Sequence, residues 1–187
     1  MKTKIHKYMK KIAIVVGHCK KEPGAYHKSV GSEFEYNSKV AEYLKDIATV
    51  FYYDNFDKGY TATIIKDMAP KTKDFDLVLE LHFNSFSNKA ANGAEALYYF
   101  RNELAQKIGQ LFCMLMNRQF GSVIRGAKPL RDSTQRGFAC VAYQVPTTII
   151  LEPFFCTGTE ASKFDEPYEI MEYANVLRSL IEQYQDM

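Results

Sequence analysis

Short β-branched runs alternate along this chain with segments of helical periodicity. That alternation predicts an α/β fold, a single domain with a mixed, mostly parallel twisted sheet flanked by helices on both faces. Two further observations point the same way. No repeat, low-complexity stretch or Pro/Gly/Ser-rich linker divides the 187 residues, a length that suits one domain with a sizeable core. The composition is 47% hydrophobic and 25% charged, with 13 Phe and 13 Tyr. It excludes a disordered chain, which needs low hydrophobicity and high net charge.

Residues 1–10 read as a basic tail (Lys2, Lys4, Lys7, Lys10) that also holds His6, ahead of a domain spanning 11–187. The first strand is expected over Lys11 to Val16, an apolar run ended by Gly17, as in parallel strands buried on both faces. A helix follows from Ser32 to Ile47, with Ser32 as N-cap. Further strands are expected at Thr49 to Tyr53, Asp76 to Leu81, Ala94 to Phe100 and Thr147 to Leu151. Leu104, Ile108, Leu111 and Leu115 recur at helical spacing, as do Ile170, Ala174, Leu177 and Ile181. Gly121 to Tyr143, rich in Gly, Arg and Ser, reads as a long loop, and such loops are often functional.

Composition also bounds the function. A formal net charge of +2 implies no dominant electrostatic partner such as nucleic acid. No stretch approaches the roughly 20 apolar residues of a membrane span. The apolar run after the basic amino terminus is too short for a signal h-region and ends in Gly-His. Synthesis in the cytoplasm without a signal peptide is therefore expected. The cysteines at 19, 113, 140 and 156 form no CxxC, so free thiols are expected, with Cys113 a small core residue.

Three expected strands end in a residue that binds metal or moves protons, at Gly17-His18, Leu81-His82 and Leu151-Glu152. Parallel strands present their carboxyl ends at one sheet edge, where open α/β folds bind ligands, so these residues are expected to converge. A lone His at a strand end is more often structural, but two of the chain's four histidines occupy equivalent ends beside a Glu. Two imidazoles are an incomplete catalytic zinc site, which takes three protein ligands and keeps one position open. The Ser32–Ile47 helix offers a third ligand. Glu33, Asn37, Val40 and Leu44 share its sheet-facing stripe, whereas Glu35 aligns with Lys39, Glu42 and Asp46 on the solvent face. An inward carboxylate needs a partner to offset its desolvation, and a metal is one. The plain alternative is that Glu33 favours the helix amino end electrostatically. Glu22, on the loop after His18, competes for the ligand role and is less favoured. Glu152 precedes Pro153, which holds it in extended geometry at the tip of a buried strand. There it would move a proton between water and a leaving amine; as a structural residue it would pair with an Arg or Lys.

With these residues in place, the chain resembles the zinc-dependent N-acetylmuramoyl-L-alanine amidases, the family of bacterial autolysins and many phage endolysin catalytic domains. The resemblance runs from about Lys11 to the end and rests on four motifs in order. They are Gly17-His18 with Pro23-Gly24-Ala25 after it, Glu33-Phe-Glu-Tyr-Asn37, Glu80-Leu-His82-Phe-Asn84, and Pro146-Thr-Thr-Ile-Ile-Leu-Glu152-Pro-Phe-Phe155. Each is weak alone, and the four together are specific. The resemblance implies Zn2+ held by His18, Glu33 and His82, with Glu152 as the catalytic carboxylate. It also implies hydrolysis of the amide joining N-acetylmuramic acid to the L-alanine of the stem peptide in peptidoglycan.

The chain departs from the family at Cys19-Lys20-Lys21-Glu22, where glycines are common; the Cys19 side chain is expected to point away from the site. Asn84, Arg125 and Arg131 are expected substrate contacts. The two arginines belong to a basic cluster with Lys128 and Arg136, and Arg's planar fork suits stem-peptide carboxylates. A solvated basic loop is the alternative. His27 reads as an exposed loop residue. The phage-type Glu-Pro-Phe-Phe motif and the missing export signal favour a phage or prophage lysin that reaches the cell wall after membrane breach. One domain takes up the chain, so wall affinity is expected from that domain or a partner. Two other functions remain open. One is a zinc peptidase, although zinc carboxypeptidases carry a His-x-x-Glu pair and Glu22 lies four residues after His18. The other is a non-catalytic wall-binding protein of the same fold.

Overall fold

Six strands form one sheet in the computed structural model of this protein, which describes residues 9–187. In chain order the strands are β1 (Ile12–Val16), β2 (Tyr26–His27), β3 (Gly31–Ser32), β4 (Thr49–Tyr52), β5 (Leu77–Leu81), β6 (Ala94–Tyr99), β7 (Ile124–Leu130) and β8 (Thr147–Glu152). The sheet runs β4-β1-β5-β8-β6-β7, and β2 and β3 make a separate antiparallel pair. Strands β4, β1, β5 and β8 are parallel. Strand β6 lies antiparallel to β8 and carries β7 parallel to itself. Every residue of β1 and β5 is buried, as expected of parallel strands covered on both faces.

The helices are α1 (Glu33–Glu42), α2 (Tyr60–Thr63), α3 (Ala69–Thr72), α4 (Glu103–Phe120), α5 (Phe138–Tyr143) and α6 (Pro167–Asp186), with a π-helical turn at Ile64–Met68 joining α2 to α3. On one face of the sheet α1, α4 and α6 bury Val40, Leu44, Ile108, Phe112 and Leu177 with Ile14, Leu79 and Ile149. On the other, Ile64, Met68 and Cys140 pack with Val15, Val78 and Ile150. Truncating a core residue such as Leu79 to Ala costs about 2–5 kcal/mol.

Helix α1 starts where the sequence places it. Ser32 Oγ accepts from Glu35 N–H at 3.3 Å and the Glu35 carboxylate accepts from Ser32 N–H at 3.3 Å, a reciprocal capping box. It ends at Glu42, short of Ile47, because Tyr43, Leu44 and Ile47 donate to carbonyls three residues back and tighten the last turn. Its buried stripe holds Glu33, Asn37 and Val40, and Glu35, Lys39 and Glu42 are exposed. In α6, Ile170, Ala174, Leu177 and Ile181 are all buried.

The structure corrects two expectations and adds a segment the sequence does not suggest. Gly121 to Tyr143 is not a featureless loop, since it contains β7 and α5. Strand β7 is a sheet edge with only Leu130 buried, interrupted by Gly126 and Pro129, and α5 is a single short helix, so neither leaves an apolar pattern. In α4 the buried stripe is rotated from the expected one. Leu104 is exposed, and Ala105, Ile108, Gly109 and Phe112 face the core, because small residues let this helix lie close against the sheet. The α2–α3 segment, broken by Ala69-Pro70 and a π-turn, is unanticipated.

Lys10, expected in the tail, is tied to the domain: its N–H donates to Gln185 Oε1 at 2.9 Å and its Nζ to the Tyr184 carbonyl at 2.8 Å. Lys2, Lys4, His6 and Lys7 lie outside the described residues. All four cysteines are buried free thiols. No helix among the described residues is long and apolar enough to cross a membrane.

Candidate active site

Strands β1, β5 and β8 are neighbours in register, with Val16 opposite Leu81 and Leu81 opposite Leu151. His18, His82 and Glu152 therefore leave the sheet at one edge. Glu33, in the first turn of α1, meets both imidazoles there. Its Oε1 lies 2.8 Å from His82 Nδ1 and accepts from Phe83 N–H at 3.1 Å. Its Oε2 lies 3.2 Å from His18 Nε2 and accepts from Ala25 N–H at 3.1 Å. The donor atoms of His18, Glu33 and His82 all lie within 4.8 Å of one another. Two imidazole nitrogens and a carboxylate oxygen form a donor set that catalytic zinc takes, whereas magnesium and calcium prefer oxygen alone. The residues present thus fit Zn2+. Glu22 lines the same cavity outside this cluster, and Glu35 is spent in the helix cap.

Backbone constraints explain the glycines around the cluster. His18 adopts φ 66°, the one positive φ at a non-glycine among the described residues, a conformation held only where surrounding contacts enforce it. A Cβ on Gly17 would sit 2.5 Å from His82 Nε2, and one on Gly24 would sit 2.6 Å from Glu33 Oε2. The Gly17-His18 and Pro23-Gly24 motifs are therefore packing requirements of the site.

The two carboxylates titrate in opposite directions. Burial alone would raise the Glu33 pKa, but hydrogen bonds and charge from His18 and His82 hold it far below the usual carboxylate range. Burial pushes Glu152 up to about 8; the His82 charge opposes this, and the charges of Glu33, Glu95 and Glu80 add to it. The Glu152 Oε2 is shut off from solvent with no hydrogen-bond partner among the described residues. A carboxyl poised near neutral pH in a cavity has the properties of a general acid–base. Burial would lower the His82 pKa, yet hydrogen bonds to Glu33 and Glu80 raise it well above its usual value.

The cavity has a volume of about 810 Å³ and extends from the four residues past Phe56 and Tyr60 to Leu97, Arg136 and Ile150. Asn84 lines it and donates from Nδ2 to Glu95 Oε1 at 2.7 Å. Arg125 donates from Nε to Glu95 Oε2 at 2.6 Å, and its guanidinium stands 4.7 Å from the centre of the Phe155 ring. Glu95 is paired with Glu152 across the strands. Arg131 lies 5.5 Å over the Phe100 ring and is not among the cavity-lining residues; Arg136 is the loop arginine that is. Lys128 is exposed on β7, and His27 Nδ1 lies 3.0 Å from Ser29 Oγ, away from the cavity wall. Cys19 is buried in the cluster around Val15 and Met68.

Sequence reasoning misses Glu80 and Glu95. The signal for Glu80 is a carboxylate inside an otherwise apolar strand, two residues before His82 and so on the same side. Glu95 gives no such signal, because its place beside Glu152 depends on the reversed direction of β6.

The model of the N-acetylmuramoyl-L-alanine amidase family matches residues 12–177. No curated protein sequence matches the chain. Among solved structures it is similar to an N-acetylmuramoyl-L-alanine amidase from Clostridium difficile 630, with TM-score 0.76 and 18% identity over 96% of this chain and 98% of that one. It is also similar to the catalytic domain of an endolysin targeting Clostridium difficile, with TM-score 0.73 and 24% identity over 93% and 97%. A third likeness is to the catalytic domain of an amidase from Bacillus (Paenibacillus) polymyxa var. colistinus, with TM-score 0.67 and 22% identity over 94% and 98%. At these identities the structures establish the fold, and the family match spans most of the chain. The chain belongs to the N-acetylmuramoyl-L-alanine amidase family.

Proposed function

We propose that this amidase is a zinc-dependent hydrolase of the bond between N-acetylmuramic acid and the L-alanine of peptidoglycan. The observation that carries the metal assignment is the His18, Glu33 and His82 cluster, whose donor atoms lie within 4.8 Å of one another in the cavity that also holds Glu152. These three residues would hold the ion, which when bound supplies a Lewis acid for the scissile carbonyl and for activating water. Glu152 accepts the proton of the attacking water and delivers it to the departing alanine nitrogen, a shuttle suited to a carboxyl that burial raises above its usual range. The apolar walls at Leu97 and Ile150 limit water around that carboxyl.

Substrate contacts divide according to what each side chain already holds. Asn84 faces the cavity with its amide fixed by Glu95, which presets its orientation. Arg136 stands on the cavity wall and takes a stem-peptide carboxylate, the role the sequence suggests for Arg125 and Arg131. Arg125 contributes by holding Glu95. The phage-type motif ending in Phe155 supports a phage or prophage lysin acting after the membrane is breached; export of the protein from intact growing cells would contradict that role.

The test is to incubate zinc-loaded protein with purified peptidoglycan. About one zinc per chain and new L-alanine amino termini are expected. New reducing sugar ends in place of amino termini would overturn the amidase assignment.

A further inference from the structure

Glu80 has no solvent exposure and sits in β5 between Leu79 and Leu81. An ionised carboxylate in such a place is costly unless fully paired. Four donors surround it. Tyr53 Oη and Cys140 Sγ donate to Oε2 at 2.9 and 2.8 Å, and Tyr60 Oη donates to Oε1 at 3.2 Å. The fourth, His82 Nε2, lies 2.9 Å from Oε1. Tyr53 follows β4, Tyr60 opens α2 and Cys140 lies in α5, so three separate elements converge on one side chain.

A carboxylate only accepts hydrogen bonds, so the His82 nitrogen facing Glu80 carries a proton. The other ring nitrogen, Nδ1, faces the Glu33 carboxylate at 2.8 Å and by the same rule carries a proton here, one that a bound ion would displace. The ring is thus held with one edge bound to a fixed acceptor and the other directed into the donor cluster. A leucine in place of Glu80 would suit the strand without any desolvation cost and would leave Nε2 with no acceptor on this side.

We propose that Glu80 is a positioning residue for the metal centre. By holding the Nε2 proton of His82 it fixes the imidazole tautomer and rotation that present Nδ1 to the ion, and Tyr53, Tyr60 and Cys140 fix Glu80 in turn. Carboxylate partners of metal-bound imidazoles act in this way and raise ligand basicity. This assignment rests on the zinc reading of the cluster.

The test compares wild-type protein with Glu80→Gln, which keeps the shape and loses the charge. Zinc dissociation constants are measured by competition with a chromophoric chelator, and the His82 ring nitrogens and Nε2 proton are followed by NMR in the zinc-loaded protein. The expected result is a dissociation constant raised roughly 10–100-fold, an upfield move of the Nε2 proton signal, and a thermal midpoint of the chelated protein close to wild type. Wild-type affinity and an unmoved proton signal in Glu80→Gln overturn the proposal alone, whereas wild-type protein that binds no zinc overturns it together with the zinc reading. Should Glu80→Gln fail to fold, Tyr53→Phe removes one donor and keeps the charge. It is expected to weaken zinc a few-fold and move the same proton signal, and no change in either overturns the proposal.

Discussion

The two halves of the sheet serve the site in different ways. In the parallel half, β1, β5 and β8 deliver His18, His82 and Glu152 by direction and register alone. In the reversed half, β6 runs the other way, so its beginning reaches the same edge and places Glu95 across from Glu152. Glu95 is held by Asn84 and Arg125 and adds negative charge beside Glu152. In the proposed reading the parallel half contributes the groups that react. The reversed half sets the field around them and, through Leu97, part of the cavity wall. The lesson is that strand direction decides whether a strand's last or first residues take part in chemistry.

The largest expected effect lies in the parallel half. Glu152→Gln should keep zinc and lose about 10²–10⁴-fold in kcat, as measured by release of L-alanine amino termini. Unchanged turnover would remove the proton shuttle from Glu152. The same variant tests the pKa. A carboxyl raised from 4.5 to about 8 contributes stability that is complete below pH 4.5 and is lost as pH rises through about 8. Chelated wild-type protein should therefore lose on the order of 5 kcal/mol relative to Glu152→Gln between these limits. Parallel denaturant titrations across that range check it, and identical pH profiles would show that burial does not perturb Glu152.

A backbone change in the same half should rank next. In Gly17→Ala the new Cβ would stand 2.5 Å from His82 Nε2, so the ring or strand end must shift. A stability loss of about 1–3 kcal/mol is expected, with zinc affinity lowered at least tenfold, since displaced ligands bind poorly. Chelator competition and thermal melting measure the two effects, and a variant with intact affinity would mean that the edge is softer than its packing indicates.

The reversed half should respond more mildly. Arg125→Ala removes a half-exposed partner of Glu95 at a cost of about 1 kcal/mol, readable by denaturant unfolding. It also leaves the Glu95 charge uncompensated beside Glu152. More negative charge disfavours ionised Glu152, so its pKa rises and the acid limb of the pH–rate profile moves to higher pH. An unmoved limb would show that Glu95 and Glu152 are electrostatically independent.

The same division governs what the sequence reveals. Strand ends at His18, His82 and Glu152 are legible because short, largely apolar runs stop there and parallel edges converge. The inward turn of Glu33 is legible from the α1 stripe. The direction of β6 is written in no local pattern, so Glu95 and its pairing with Arg125 are invisible. Strand β7 reads as loop because only Leu130 of its residues is buried and Gly126 and Pro129 interrupt it. Pro70 hides the α2–α3 segment and with it Tyr60. Glu80 is the instructive miss, since its period-two relation to His82 is in plain view and only the burial of an acid among leucines marks it.

The finest comparison is between two arginines of the segment between β7 and α5. Arg136 lines the cavity, whereas Arg131 lies over the Phe100 ring outside it. Both are exposed, so neither is expected to carry much stability. If Arg136 receives a stem-peptide carboxylate, the contact is made equally in the bound substrate and the transition state, and its loss raises KM without lowering kcat. Arg136→Ala should therefore raise KM several-fold on soluble muramyl peptides, and more salt in the assay should narrow the gap, because an exposed ion pair is screened. Arg131→Ala should change neither constant. Equal effects of the two substitutions would mean that the loop attracts the wall through net charge rather than through one placed guanidinium. A fall in kcat for Arg136→Ala would instead place that side chain against the reacting amide.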